Sequence, residues 1–249
     1  MKLNVLSGLL TAITAIATVF SASDAMANSV SRDTYDAQYE SASDDFMHLE
    51  YDQWKLFNDL INKERNLMDA IDLPTVDLAN LRWEGGVNDV EVYFINEGAG
   101  YRNQLFYSTD SGTTKEIIFD DISSPNSILR NSDGPLSLGQ GVSLGDFEGE
   151  TYIEFFLKSN GKNGGQNFFG FDPTENPDGF PHVLAYTIDD FVLIGFEDLW
   201  NGGDKDYNDT VFVVRGVTDS PIPVPEPTTT LALLGITALG ATRIRRSHS

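Results

Sequence analysis

Between Leu81 and Gly216, apolar residues recur at alternate positions or in short unbroken runs, at 88–95, 101–108, 115–119, 151–158, 166–171, 182–187, 190–196 and 210–216. Alternation puts side chains on the two faces of a strand, and unbroken runs of this length suit strands buried on both faces. Glycine, asparagine, aspartate and serine separate the runs, as at Gly98-Ala99-Gly100 and Asp110-Ser111-Gly112. Seven or eight short strands over about 140 residues, with no βαβ alternation and no fixed repeat, predict a mainly β fold of β-sandwich or jelly-roll type.

Upstream the period changes. Met47, Tyr51, Trp54, Phe57, Ile61, Met68 and Ile71 fall at helical spacing between Asp44 and Ile71, with charges between them. The pattern predicts one amphipathic helix packed on the domain, with Ser43 as cap, Asp44 and Asp45 at its positive end and Pro74 beyond its last turn. Residues 28–45 are polar and acidic and read as a mobile arm. The chain thus divides into an arm and helix (28–80), a β domain (81–216) and a proline-rich linker (217–227).

Both ends read as processing signals. Lys2, an apolar run from Leu9 to Phe20 and the small-residue pattern Ala25-Met26-Ala27 have the layout of a signal peptide (1–27) cleaved after Ala27. At the other end, Pro225-Glu226-Pro227 precedes an uncharged stretch, 228–242, and the basic Arg243, Arg245 and Arg246. As a helix that stretch is about 22 Å long against a hydrocarbon core of about 30 Å, a short hydrophobic helix that spans only marginally, arginines on the cytoplasmic side. The ordered triad at 225–249 resembles the PEP-CTERM sorting signal of Gram-negative bacteria. That resemblance implies export, transient inner-membrane anchoring through 228–242, and cutting near Pro225, Glu226 and Pro227 by an exosortase-type sorting enzyme. Delivery to the cell surface or the exopolysaccharide matrix of a biofilm would follow.

Charge narrows the partners. The chain has 38 Asp and Glu against 16 Lys and Arg, a net charge of −22. Residues 28–227 hold 37 of the acids but only 12 of the bases, since Lys2, Arg243, Arg245 and Arg246 lie outside them with Asp24, so this part of the chain is more acidic still. Nucleic acid and anionic membrane are poor partners for such a surface; cations and neutral glycans are compatible with it. With no cysteine, disulfides, thiolate metal sites and cysteine nucleophiles are excluded.

The chemistry concentrates in "GFEDLWNGGDKDYNDTVFVV", residues 195–214. Glu197, Asp198, Asp204, Asp206 and Asp209, with the amides Asn201 and Asn208, are held between two apolar runs. Asp204, Asp206 and Asn208 stand at i, i+2 and i+4, the spacing with which a loop wraps a hard cation that takes six to eight oxygens. The stretch resembles the first half of an EF-hand loop, but Asp209 replaces the glycine, Arg215 the closing glutamate, and the flanks are strands. With no histidine or cysteine nearby, the metal expected on Glu197, Asp198, Asp204, Asp206, Asn208 and Asp209 is Ca²⁺. Two other readings stay open: Asp and Asn side chains capping their own turns without an ion, and paired catalytic carboxylates, with Glu197 as the residue of a glycan hydrolase.

The same stretch, with "VEVYFINEGAGYRNQLFYS", "SLGQGVSLG" and "NPDGFPHVLAY", resembles an uncharacterised bacterial domain-of-unknown-function family found in exported proteins, over about 88–216. The resemblance implies that the six acidic and amide positions belong to the family motif and that Tyr207 is an aromatic packed into the core; it implies no activity. A second acidic loop, Asp172, Glu175, Asn176 and Asp178-Gly179, precedes His182; it reads as a surface turn, and His182 as a satisfied rim or core residue. His48 is expected on the exposed side of the helix. No serine elbow at a strand-to-helix turn, phosphate loop, paired metal histidines or dinucleotide fingerprint is read in the sequence. The expected function is therefore non-enzymatic, structural or adhesive, with a carbohydrate-binding module using Trp200, Tyr101 or Phe180 as the alternative.

Overall fold

The computed structural model describes residues 30–40, 47–61, 73–86 and 89–219. Among them are eleven strands in three sheets and two α-helices, α1 (Arg32–Ala37) and α2 (Tyr51–Ile61). In chain order the strands are β1 (Arg82–Trp83), β2 (Val90–Asn96), β3 (Asn103–Ser108), β4 (Glu116–Ile122), β5 (Gly141–Gly145) and β6 (Glu154–Lys158). They continue as β7 (Phe168–Phe169), β8 (Val183–Ile188), β9 (Phe191–Phe196), β10 (Thr210–Arg215) and β11 (Val217–Thr218). The large sheet runs β5-β2-β10-β9-β8 and the second β4-β3-β6-β7, both antiparallel; β1 and β11 pair alone.

The two larger sheets share one core. The Phe155 ring of β6 lies 5.3 Å from that of Phe212 in β10, and Leu105, Phe119 and Leu157 join Val192, Ile194 and Val213 in the same buried cluster. This is the expected sandwich. The apolar runs at 190–196 and 210–216 form β9 and β10, the central pair, where both faces are covered. One edge is covered as well: residues 74–76 run along β8 through Val76 N to Ala185 O and Thr187 N to Pro74 O.

Three expectations change. Residues 28–45 are not simply an arm, because α1 is a helix capped by Ser31, whose hydroxyl accepts from Thr34 N. Its Tyr35 is buried among Tyr39, Tyr51 and Trp54 and donates to Leu49 O at 2.7 Å. Aromatic content outweighed the acidic composition there. The long helix is described only as α2, with Trp54, Phe57, Asn58 and Ile61 on its buried face; Ser43, Asp44, Asp45, Met68 and Ile71 lie outside the described residues. The linker does not begin at 217, since Val217 and Thr218 pair with Trp83 and Arg82. β5 carries only Val142 and Leu144 as apolar residues between glycines, too short a run to read as a strand.

Candidate metal centre

β9 and β10 leave their ladder in register, Phe196 opposite Thr210, so Glu197 and Asp209 are the first residues beyond it. The intervening chain turns sharply. Asn201, Gly202, Gly203, Lys205 and Tyr207 all have positive φ, while Asp204 and Asp206 between them do not. Lysine and tyrosine seldom adopt that region. Gly203 is required twice, by its φ of +47° and because a Cβ there would stand 2.2 Å from Glu197 Oε2.

The turn carries the side chains of Asp204 and Asp206 back over Glu197. One carboxylate oxygen from each of the three lies within 4.8 Å of the others. Oxygens bound at about 2.4 Å to one ion can stand at most about 4.8 Å apart, so the three fit a single coordination sphere. Glu197 is fully buried. Its Oε1 accepts from Tyr207 N at 2.7 Å, but its Oε2 accepts no hydrogen bond among the described residues. Asp204 is exposed and Asp206 half-buried.

The other three expected ligands are engaged in hydrogen bonds. Asn208 orients Asp206, donating from its amide to Oδ1 at 3.2 Å and from Nδ2 to Oδ2. Asp209 Oδ2 accepts from Asp198 N at 2.8 Å, and Asp198 Oδ2 accepts from Asn103 Nδ2 of the opposite sheet at 2.7 Å. Asp198 O accepts from Ser159 at 2.7 Å. Asp198 and Asp209 therefore tie the loop to the sandwich.

Electrostatically the site is short of positive charge. Burial, then Asp206, Asp204 and Asp198, push the Glu197 carboxyl up to about 8 against the Tyr207 amide. Burial also raises Asp206, Asp198 and Asp209. Among the described residues no lysine or arginine forms an ion pair with any of these groups. Buried carboxylates in that position are neutralised by protons or by a cation.

Two participants were not singled out from the sequence. Glu97, directly after β2, is buried and accepts from Ser127 Oγ at 2.8 Å; burial and the nearby Asp198 and Asp121 push its carboxyl up to about 8. Asn103 opens β3. An acid two residues beyond an apolar run was the available signal for Glu97; nothing local marks Asn103.

In the second acidic loop Asp178 is supplied with donors. Asp178 Oδ2 accepts from Asn201 N at 2.7 Å and meets His182 Nε2 at 2.9 Å, while its Oδ1 accepts from Phe180 N. Burial alone would raise Asp178, but those partners hold it below the usual carboxylate range. His182 is buried, stacked 3.7 Å from Phe169, with Nδ1 donating to Glu197 O. Tyr207 is in the core, as expected. Trp200, Tyr101 and Phe180 are exposed. His48 stacks on Tyr39 and bridges to Gln140, outside α2. Ala27, Pro225, Glu226, Pro227 and the stretch 228–242 lie outside the described residues. Among those described, no helix is long and apolar enough to cross a membrane.

Fold and loop together define a two-layer β domain with an acidic bend between its two central strands. The family model described as a domain of unknown function, DUF4114, matches residues 147–217, and that of the PEP-CTERM protein-sorting motif matches 223–246. The chain is a PEP-CTERM protein carrying a domain of unknown function: exported, directed to the cell surface, and bearing the substrate signal of exosortase-type sorting. The domain match is narrower than 88–216; it holds β6 to β10 and the whole acidic bend and ends on Val217, while Glu97 and Asn103 lie outside it. No curated protein and no solved structure matches the chain.

Proposed function

We propose that this is a non-enzymatic, exported β-sandwich whose 197–209 bend is closed by Ca²⁺, serving a structural or adhesive role at the cell surface or in the exopolysaccharide around it. The observation that carries this reading is Glu197 Oε2, buried with no hydrogen-bond donor among the described residues, in reach of Asp204 and Asp206 oxygens that fit one coordination sphere. An all-oxygen donor set favours Ca²⁺ over transition metals, and a shell of six to eight leaves room for backbone oxygens and water. The ion would replace protons as the counter-charge. It would also fix the connection between the central strands β9 and β10, stiffening the sandwich wherever calcium is plentiful.

The test is thermal melting with and without calcium. At 100 times Kd the ion adds about 2.7 kcal/mol, or roughly 5–10 °C for a domain of this size. Asp204→Asn combined with Asp206→Asn should abolish the difference. Identical melting curves in calcium and in EDTA would leave the turns to stand on their own hydrogen bonds.

A further inference from the structure

Resting on that calcium reading, we infer that the ion is also a docking point: it takes two vicinal hydroxyls of a neutral sugar residue, whose ring stacks on Trp200. Glu197, Asp204 and Asp206 each offer one oxygen to the common sphere, fewer than the six to eight that calcium takes. Glu197 approaches from the buried side; Asp204 is exposed, so the positions left over open toward solvent.

The loop that holds these carboxylates, and the loop tied to it, carry exposed apolar side chains that suit a sugar. Trp200 is 52% exposed, Leu199 46% and Phe180 37%. These are on two loops, held together by Asp178, which accepts from the backbone amides of both Phe180 and Asn201. Leu199 borders the site directly, its Cβ 3.4 Å from where a Cβ on Gly203 would lie. An exposed indole on a loop fixed at both ends is a preorganised platform for the apolar face of a pyranose. Charge selects the class of sugar. Three carboxylates outnumber the two charges of the ion, and the whole chain is at −22, so an anionic uronate is repelled while neutral hydroxyl oxygens complete the shell.

The full chain is applied to an array of neutral hexose oligosaccharides and oligouronates, in calcium and in EDTA, with melting curves recorded in parallel. Neutral sugars with vicinal hydroxyls should be retained in calcium, and the signal should disappear in EDTA. Trp200→Ala should weaken that binding at least tenfold while keeping the calcium-dependent rise in melting temperature; Asp204→Asn with Asp206→Asn should lose both. A calcium-dependent melting rise without any calcium-dependent sugar signal overturns the docking role and leaves the stabilising one intact. Sugar binding that persists in EDTA, prefers uronates or survives Trp200→Ala also overturns it. No melting rise at all removes the calcium reading beneath it.

Discussion

The two acidic loops, 172–182 and 197–209, look alike in sequence and behave oppositely in the fold. Both are rich in aspartate and asparagine, and both adjoin β-strands of the large sheet. In the first, Asp172 accepts from Thr174 N and Oγ1, and Asp178 from two backbone amides beside His182. Both carboxyls are held below their ordinary range, Asp172 by its Thr174 hydrogen bonds and Asp178 by bonds that outweigh its burial. In the second, burial lifts Glu197 and Asp206, and one buried oxygen has no donor among the described residues. Acid density therefore does not distinguish a turn from a site. What distinguishes them is whether the fold supplies each oxygen with a donor.

The strongest way to break this contrast is pH. Glu97 is titrated up to about 8 by burial at the carboxylate-rich end, against an ordinary value of about 4.3. Below the ordinary value the group is protonated in both states and costs nothing. As pH rises, the unfolded chain ionises first, so stability falls from about pH 4.5 and levels off above about 8. Without added calcium the protein should be less stable at pH 9 than at pH 5, by a few kcal/mol on this group's account. Glu97→Gln, which can still accept from Ser127, should flatten that slope and raise the melting temperature at pH 9 while leaving pH 4 almost unchanged. A slope equal to wild type would show that Glu97 ionises freely in the fold.

A second substitution separates the loops. Asp178→Ala removes the acceptor for Asn201 N and the partner of a buried His182. It should cost about 2 kcal/mol or more, since buried groups left unmade are penalised, and the cost should be the same in calcium and in EDTA. Glu197→Gln should do the reverse, leaving the calcium-free protein near wild type and abolishing its response to the ion. Should Asp178→Ala weaken only the calcium-loaded form, the two loops would have to be treated as one site.

Legibility followed the length scale of the signal. All eight apolar runs became strands, because a run of five or more apolar or alternating residues fixes both burial and direction. The two-residue strands β1 and β11 and the glycine-bounded β5 left no such trace. In the bend, spacing marked Asp204, Asp206 and Asn208, whereas the fold gathers the oxygens of Asp204 and Asp206 with that of Glu197. Asp198, Asn208 and Asp209 also make hydrogen bonds that spacing does not reveal. Asp198 Oδ2 accepts from Asn103, Asp209 Oδ2 accepts from the Asp198 amide, and Asn208 Nδ2 donates to the Asp206 carboxylate, partners set by sheet packing or by the way the bend closes. Tyr35 was misplaced for a related reason: its partners, Leu49 O and the rings of Tyr51 and Trp54, belong to another element.

The smallest expected effect is also the most local. Gly179 and Gly203 are equivalent glycines in the two loops, with φ of +72° and +47°. Alanine at either must adopt a left-handed backbone, costing about 1 kcal/mol. They differ in what the new methyl meets. At Gly179 there is open space; at Gly203 the methyl falls 2.2 Å from Glu197 Oε2, the atom without a donor. Gly179→Ala should therefore lower the melting temperature by a few degrees, equally with and without calcium. Gly203→Ala should add to that same backbone cost a displacement of the Glu197 carboxylate, and with it the loss of the calcium-dependent part of the stability. If both alanines left the response to calcium untouched, Glu197 Oε2 would not be a ligand, and the ion would have to be held by Asp204 and Asp206 without it.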